Sequence, residues 1–171
     1  MMSNEMILQI HNVQDMNFEK LMCVYEEGNR ENGQFFYFRE SESEQLRLAM
    51  QDFYDYLRED FFRKKDAQYW IIQVDMRYAS ALRTEPYQDG YLLQALETAP
   101  DMRRRGYAGR LVEFVLAEMR KKSNMPVYSH VSKGNLPSLA VHVRCGFAKV
   151  LDHAVYLDGS ISTGAVTLVC R

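Results

Sequence analysis

With 171 residues, 47% of them apolar and 26% charged, the chain has the makeup of one globular domain with a sizeable core. Its formal charge of −2 and pI near 6.1 lack the basic excess of a dedicated nucleic-acid binder. No apolar run is long enough to cross a bilayer, so no membrane role is expected.

Ile7 to Val13 reads as a first strand. From Asp15 or Asn17, either a fitting N-cap, Phe18, Leu21, Met22 and Tyr25 recur at helical spacing until Gly28. The polar stretch Glu26 to Gly33 reads as a solvated loop, and the aromatic run Phe35-Phe36-Tyr37-Phe38 as a core strand. Ser41-Glu42-Ser43-Glu44 is a capping box. Behind it, Leu46, Ala49, Met50, Phe53, Tyr54, Leu57 and Phe61 form the apolar stripe of a second helix. Three strands follow, Tyr69–Asp75, Tyr78–Thr84 and Tyr91–Thr98, with a turn from Pro86 to Gly90 between the last two. After Gly106, the positions of Ala108, Leu111, Val112, Val115, Leu116 and Met119 mark another amphipathic helix. Pro126 to Val131 is a further strand, and a short helix opens near Asn135 and stops at Cys145-Gly146. Phe147–Leu157 and Ile161–Cys170 read as a closing hairpin around Asp158-Gly159. This order predicts one α/β domain over residues 1–171 with a largely antiparallel sheet.

The most informative segment is Ala99-Pro-Asp-Met-Arg-Arg-Arg-Gly-Tyr-Ala-Gly-Arg-Leu111. A helix start leaves about four backbone N–H groups without partners. The positive end of the helix dipole points the same way, toward any anion in front of it. Gly106, Ala108 and Gly109 let such an anion come close to the backbone, and Arg103, Arg104 and Arg105 surround it with charge. Arginines in a first turn oppose the helix dipole unless an anion neutralises them. The segment therefore predicts a phosphate-bearing ligand rather than a plain helix with a basic entry. It contains neither a P-loop nor a dinucleotide-binding fingerprint, which argues against a nucleotide enzyme.

This segment resembles the acyl-CoA signature of the general N-acetyltransferase (GNAT) superfamily, Gln/Arg-x-x-Gly-x-Gly/Ala. It is met here by Arg103-Arg104-Arg105-Gly106-Tyr107-Ala108, with Pro100 three residues ahead. Downstream, Asn135, Ser138, His142 and Gly146-Phe147 keep the family's spacing. The likeness is specific from about Tyr69 to Phe147, and the element order extends it to the whole chain. It implies a GNAT-like mixed, largely antiparallel sheet flanked by helices on both faces, with acetyl-CoA as acyl donor. The amides of about Arg104 to Gly109 would hold the CoA pyrophosphate. The backbone around Glu97, Thr98 and Ala99 would pair with the pantetheine arm, and Asn135 and Ser138 would lie along it. The acyl group would pass directly to an amine of a small molecule or peptide.

Such a transfer needs a base for the amine and a proton for the departing thiolate. Glu97 lies next to last in its strand, where alternation turns it away from Leu96 and Thr98. It reads either as the base, direct or through water, or as a strand-end glutamate paired with a cation such as Arg83. His142 stands where many family members carry the Tyr that protonates the sulfur. Asn135, Ser138 and His142 share one helical stripe, so His142 reads either as the acid or as a packed histidine. In the latter case Tyr107, Tyr128 or water would supply the proton.

Glu26, Glu27, Glu31 and Glu40, with the aromatics 35–38, would suit a cationic acceptor if they walled its site, and Arg83, Glu85 and Tyr87 near the Pro86 turn could also reach it. The alternative to an enzyme is a catalytically weak acyl-CoA-binding or regulatory module of the same fold. Nucleic-acid binding is not expected, because Arg103–Arg105 and Lys121-Lys122 lie about 25 Å apart at opposite ends of one helix. The histidines have no metal-ligand spacing, and no metal is expected. Cys145 and Ser138 have no base at nucleophile spacing. Cys23, Cys145 and Cys170 form no CxxC, and no basic and apolar leader opens the chain, so a cytoplasmic protein with reduced thiols is expected. The last strand, if exposed, would offer an edge for a homodimer.

Overall fold

In the computed structural model, which describes residues 4–171, strand β1 (Glu5–Ile10) leads into helix α1 (Phe18–Val24). The first three residues, part of the start expected to lack a leader, lie outside the described residues. Asn17 caps α1 by accepting a hydrogen bond from the Lys20 amide at 2.9 Å. The expected loop and aromatic strand are instead a separate helix, α2 (Glu26–Phe36). Its polarity is explained by a narrow buried face, only Asn29 and Gly33, and by Arg30 bridging to Glu26 and Glu42. Phe35 and Phe36 end up 75% and 66% exposed rather than in a core. Helix α3 (Glu42–Glu59) starts at the capping box, with the Ser41 hydroxyl accepting from the Glu44 amide.

The remaining elements are β2 (Gln68–Val74), β3 (Arg77–Tyr87), β4 (Gly90–Thr98), α4 (Tyr107–Lys122), β5 (Val127–Ser132), α5 (Leu136–Arg144), β6 (Ala148–Leu151), β7 (Ala154–Val155), β8 (Ile161–Ser162) and β9 (Ala165–Cys170). Seven strands form one sheet in the order β1-β2-β3-β4-β5-β9-β6, and only the β4–β5 pair is parallel. The closing hairpin expected after Phe147 is divided. β6 pairs with β9, while β7 and β8 make a small ladder of their own. Strand β9 is not an exposed edge. It lies between β5 and β6 with all six residues buried, as its apolar run requires. The edges are β1 and β6, so the dimer surface expected at the last strand is absent.

Strand alternation sends β2 residues to two cores. Trp70, Ile72 and Val74 meet Leu111, Val112, Val115 and Leu116 of α4 on one face. Tyr69 and Ile71 meet Leu21, Val24, Leu57 and Phe61 on the other, beneath α1 and α3. Helices thus cover both faces, as the fold class requires.

Two irregularities of β4 create the site. It pairs with β5 only through Tyr91–Val127 and Leu92–Tyr128, and beyond Leu92 the two strands part. Their contact is close, since a Cβ on Gly90 would lie 2.0 Å from the Pro126 carbonyl oxygen. The second irregularity is a bulge. Glu97 faces Ala81 and Gln94 faces Arg83, so Ala95 and Leu96 together oppose Leu82. Ala95 takes φ 54°, a left-handed value that a non-glycine residue rarely adopts.

Candidate functional site

Gly106, at φ 80°, turns the chain into α4, and no side chain caps that helix. The first helical bond runs from the Arg110 amide to the Gly106 carbonyl at 3.1 Å. The amides of Tyr107, Ala108 and Gly109 therefore precede the helical ladder and have no partner within it. They open on a cavity of about 370 Å³ between the end of β4, the start of α4 and α5. Glu97, Thr98, Arg103, Arg104, Gly106, Tyr107, Ala108, Gly109, Asn135 and Ser138 all border it.

Two residues assigned to the ligand from sequence are not brought there. Ala99 is 1% exposed and its amide donates to the Ala79 carbonyl at 2.9 Å, so it has no N–H for a ligand. Arg105 turns away and donates to the Asp101 carbonyl at 3.1 Å. Arg103 borders the cavity but is held by carboxylates, Glu27 at 2.6 Å and Glu97 at 3.3 Å. Its place is taken by Arg144 of α5, which sequence reasoning missed. A Cβ on Gly109 would lie 3.6 Å from Arg144 Nη2, so this cation sits beside the opening turn of α4. Pro137, Val141 and Arg144 recur every three or four residues along α5, on a stripe separate from that of Asn135, Ser138 and His142, and that spacing was its signal. Among the described residues, neither Arg104 nor Arg144 is ion-paired with a carboxylate.

The gap between β4 and β5 is a smaller cleft bordered by Gln94, Leu96, Ser129, Val131, Asn135 and His142. From Leu93 onward, the edge of β4 that faces β5 has no strand partner, so it can pair with a peptide-like chain. Asn135 caps α5 on the rim, its side-chain oxygen accepting from the Ser138 amide at 3.1 Å.

His142 is 1% exposed and packs against Phe147 with ring centroids 5.1 Å apart. Its Nδ1 lies 2.8 Å from the Ser138 carbonyl and must donate there. Nε2 is then the acceptor for the Ser129 hydroxyl at 2.9 Å. Burial holds the ring below the usual histidine range, so it is neutral near pH 7. In this tautomer the proton is committed to a carbonyl, and none is on offer to a leaving group.

A second cavity, of about 330 Å³, lies on the opposite side of the bulge beneath α2 and α3. Tyr25, Tyr37, Asp52, Tyr56, Arg83 and Ala95 border it. The glutamates expected to wall an acceptor site, Glu26, Glu27, Glu31 and Glu40, are not among its lining residues. The Tyr25 hydroxyl donates to the Ala95 carbonyl at 2.6 Å, and the Tyr69 hydroxyl donates to Tyr25 at 2.7 Å. Burial lifts Tyr25 well above the ordinary phenol range and Tyr69 to about 12. Leu96 borders both the first cavity and the cleft, and Ala95 both the cleft and the second cavity. All three spaces therefore meet at the bulge.

Glu97 faces the α1 and α2 side, opposite Ala81. Its carboxylate pairs with Arg103, not with Arg83, and accepts a hydrogen bond from the Thr98 amide at 3.2 Å. Burial raises the Cys145 thiol, the reverse of what a nucleophile needs. Among the described residues, no helix is long and apolar enough to cross a membrane.

A family model described as acetyltransferase (GNAT) family matches residues 25–147. No curated protein matches the chain. Among solved structures, a PaiA N-acetyltransferase from Thermoplasma acidophilum in complex with coenzyme A is 14% identical. The match covers 98% of this chain and 99% of that one, with a TM-score of 0.66. The ribosomal-protein-S18-alanine N-acetyltransferase of Escherichia coli is 16% identical over 98% of this chain and 93% of its own, with a TM-score of 0.61. A putative streptothricin acetyltransferase from Bacillus anthracis in complex with acetyl coenzyme A is 11% identical over 66% of each chain, with a TM-score of 0.53. These likenesses establish the fold, and the family match spans most of the chain, including the bulge, the Gly106 turn and α5. The chain belongs to the GNAT acetyltransferase family.

Proposed function

We propose that the protein transfers an acetyl group from acetyl-CoA to the amine of a small molecule or peptide, with Glu97 as the base. The observation that carries this reading is the continuity at the β4 bulge. A groove chemically suited to CoA borders Leu96, a separate cavity suited to an acceptor borders the adjacent Ala95, and the cleft between β4 and β5 borders both. The donor side fits the ligand in detail. Uncapped amides at the start of α4 and two cations without carboxylate partners, Arg104 and Arg144, suit a diphosphate. The unpaired edge of β4 suits the amide-bearing arm.

In this reading Glu97 removes a proton from the acceptor ammonium, through water where the distance requires it. The amine nitrogen bonds to the acyl carbon and gives its second proton to water, the carbon–sulfur bond breaks, and the departing thiolate takes a proton back from water. The products are an N-acetyl amine and CoA. His142 positions α5 against β5 through Ser129 and does not donate the proton. The free thiols of Cys23, Cys145 and Cys170 fit a cytoplasmic setting.

Thermal-shift titration with CoA and acetyl-CoA, combined with thiol release across an amine panel, tests the proposal. Stabilisation by CoA together with amine-dependent thiol release is the expected result. Tight CoA binding without turnover would identify a regulatory module instead, and no stabilisation by CoA would remove both readings.

A further inference from the structure

Among the described residues the second cavity is bordered by two charged side chains, the exposed Asp52, whose carboxylate accepts from the Tyr37 hydroxyl, and Arg83, which lies among rings. Arg83 projects from β3 to the α1 and α3 face, with its guanidinium 5.0 Å from the Tyr56 ring centre and 5.7 Å from that of Phe61. Its Nε is enclosed without any hydrogen-bond partner, and no carboxylate among the described residues lies within ion-pair distance of it. Glu85, two residues along the same face of β3, is already paired with Lys64 at 2.7 Å. Glu97 is taken by Arg103. Asp52, on the same cavity, is bound to the Tyr37 hydroxyl and forms no ion pair with Arg83, and burial keeps the neighbouring phenols Tyr25 and Tyr69 protonated at neutral pH, so none of them is its counter-ion. A cation enclosed in this way without an anion is costly unless something supplies one. The cavity gives access to an anion from outside.

The geometry points to an acceptor that carries a carboxylate beside its amine, an amino acid or a short peptide, with Arg83 binding the carboxylate and the amine lying toward the Ala95 bulge and Glu97. This rests on the acetyl-transfer reading above. The spacing agrees with it. Glu97 stands opposite Ala81, and Ala81 and Arg83 are two residues apart on one strand, about 7 Å. The base and the cation thus share one face on adjacent strands, Glu97 bordering the first cavity and Arg83 the second, on either side of the bulge. A guanidinium grips a carboxylate with paired N–H donors, and stacking on Tyr56 and Phe61 fixes its plane. An amine without an anionic group, such as a polyamine, would place a second positive charge against Arg83. The acceptor chemistry is therefore the reverse of what the surface glutamates of α2 implied.

Thiol release from saturating acetyl-CoA is measured with free amino acids and dipeptides, with their carboxamides and methyl esters, and with polyamines. Free carboxylates are expected to exceed the matched amides and esters by at least about thirtyfold in kcat/KM, the scale on which a buried charge partner acts. Arg83→Met is expected to bring that ratio close to one, and Arg83→Lys to restore part of it. Thermal stabilisation by CoA, retained in both variants, shows that the fold and the donor groove survive. Equal or better use of amides, esters or polyamines by the parent protein overturns the assignment, as does a ratio unchanged in Arg83→Met. If no amine in the panel is acetylated, the transferase reading itself fails and this inference falls with it. A preference for uncharged acceptors, by contrast, leaves the transferase reading standing.

Discussion

Replacing Glu97 by Gln removes a proton acceptor and changes little else, so its consequences for the proposed chemistry can be worked out in advance. Glutamine keeps the shape of the side chain and, through its carbonyl oxygen, the bond from the Thr98 amide at 3.2 Å. The ion pair with Arg103 is lost, but it joins side chains 43% and 40% exposed, and Arg103 retains Glu27 at 2.6 Å. A pair so open to water is worth at most about 1 kcal/mol. In a domain of this size that lowers Tm by no more than about 4 °C. Loss of a general base costs about 10²- to 10⁴-fold in rate, or roughly 3 to 5 kcal/mol of barrier. The expected result for Glu97→Gln is therefore a kcat reduced on that scale, with KM for acetyl-CoA and Tm close to the parent values. Initial rates of thiol release at varied donor and acceptor, together with a melting curve, read all three quantities. An unchanged kcat with an intact fold would remove Glu97 as the base. A large rise in KM for acetyl-CoA would instead make it part of the donor groove, which it also borders.

Arg144→Ala tests the donor side. Arg144 is exposed, and a pair of charges 4 Å apart at the dielectric of water interacts by about 1 kcal/mol, so KM for acetyl-CoA should rise about fivefold while kcat holds. An unchanged KM would leave the phosphate grip to Arg104 and the α4 amides. His142 gives a prediction with a definite sign. Its folded-state pKa is depressed by burial, while in the unfolded chain it titrates near the ordinary value of about 6.5. Below that pH the unfolded chain binds the extra proton, so the stability that neutral His142 contributes is present above about pH 6.5 and is lost as pH falls. His142→Phe should flatten this acid loss of Tm in part, since His130 is lowered by burial as well. The variant's pH–rate profile should overlay that of the parent. A profile that loses its acid-form limb in His142→Phe would restore His142 as the proton donor.

What could be read from sequence was whatever is contiguous. The Gly106 turn, the open amides behind it and the Asn135 cap each involve a few neighbouring residues, and each appears where the motif put it. Helix α2 was hidden because Glu26 to Gly33 is almost wholly polar. Its stability comes from end charges, an Arg30 bridge and contact with α3 rather than from an apolar stripe. Phe35, Phe36 and Phe38 have strand-like propensity but sit at a helix end facing solvent. Strand β9 misled for a topological reason. Sequence proximity favours a hairpin with the preceding run, and nothing local says that the final strand enters beside β5. Arg83 could be read from sequence as a partner for Glu97 or, by its place near the Pro86 turn, as one of several residues able to reach the acceptor, but not as an enclosed cation. The enclosure that decides its role is assembled from α1, α3 and β2, which are far from it in sequence.

The same contrast separates the two halves of the site energetically. Arg104 and Arg144 lie in exposed positions, where a pair of charges 4 Å apart interacts by about 1 kcal/mol at the dielectric of water. A donor ligand held there is gripped by many modest contacts along a groove, from the α4 amides to the edge of β4. That is why a backbone motif suffices to announce it. Arg83 lies among rings with Nε sealed from water, and the same pair of charges at an effective dielectric of about 20 interacts by about 4 kcal/mol. One contact of that kind separates a carboxylate from its neutral isostere. The wrong acceptor must leave the cation unpaired, and an unpaired buried charge costs more than the pair gains. Donor binding can thus tolerate exchange among exposed arginines, as the pairing of Arg103 with Glu27 and Glu97, the turning away of Arg105 and the arrival of Arg144 illustrate. Acceptor choice has no such redundancy, because a single buried side chain decides it.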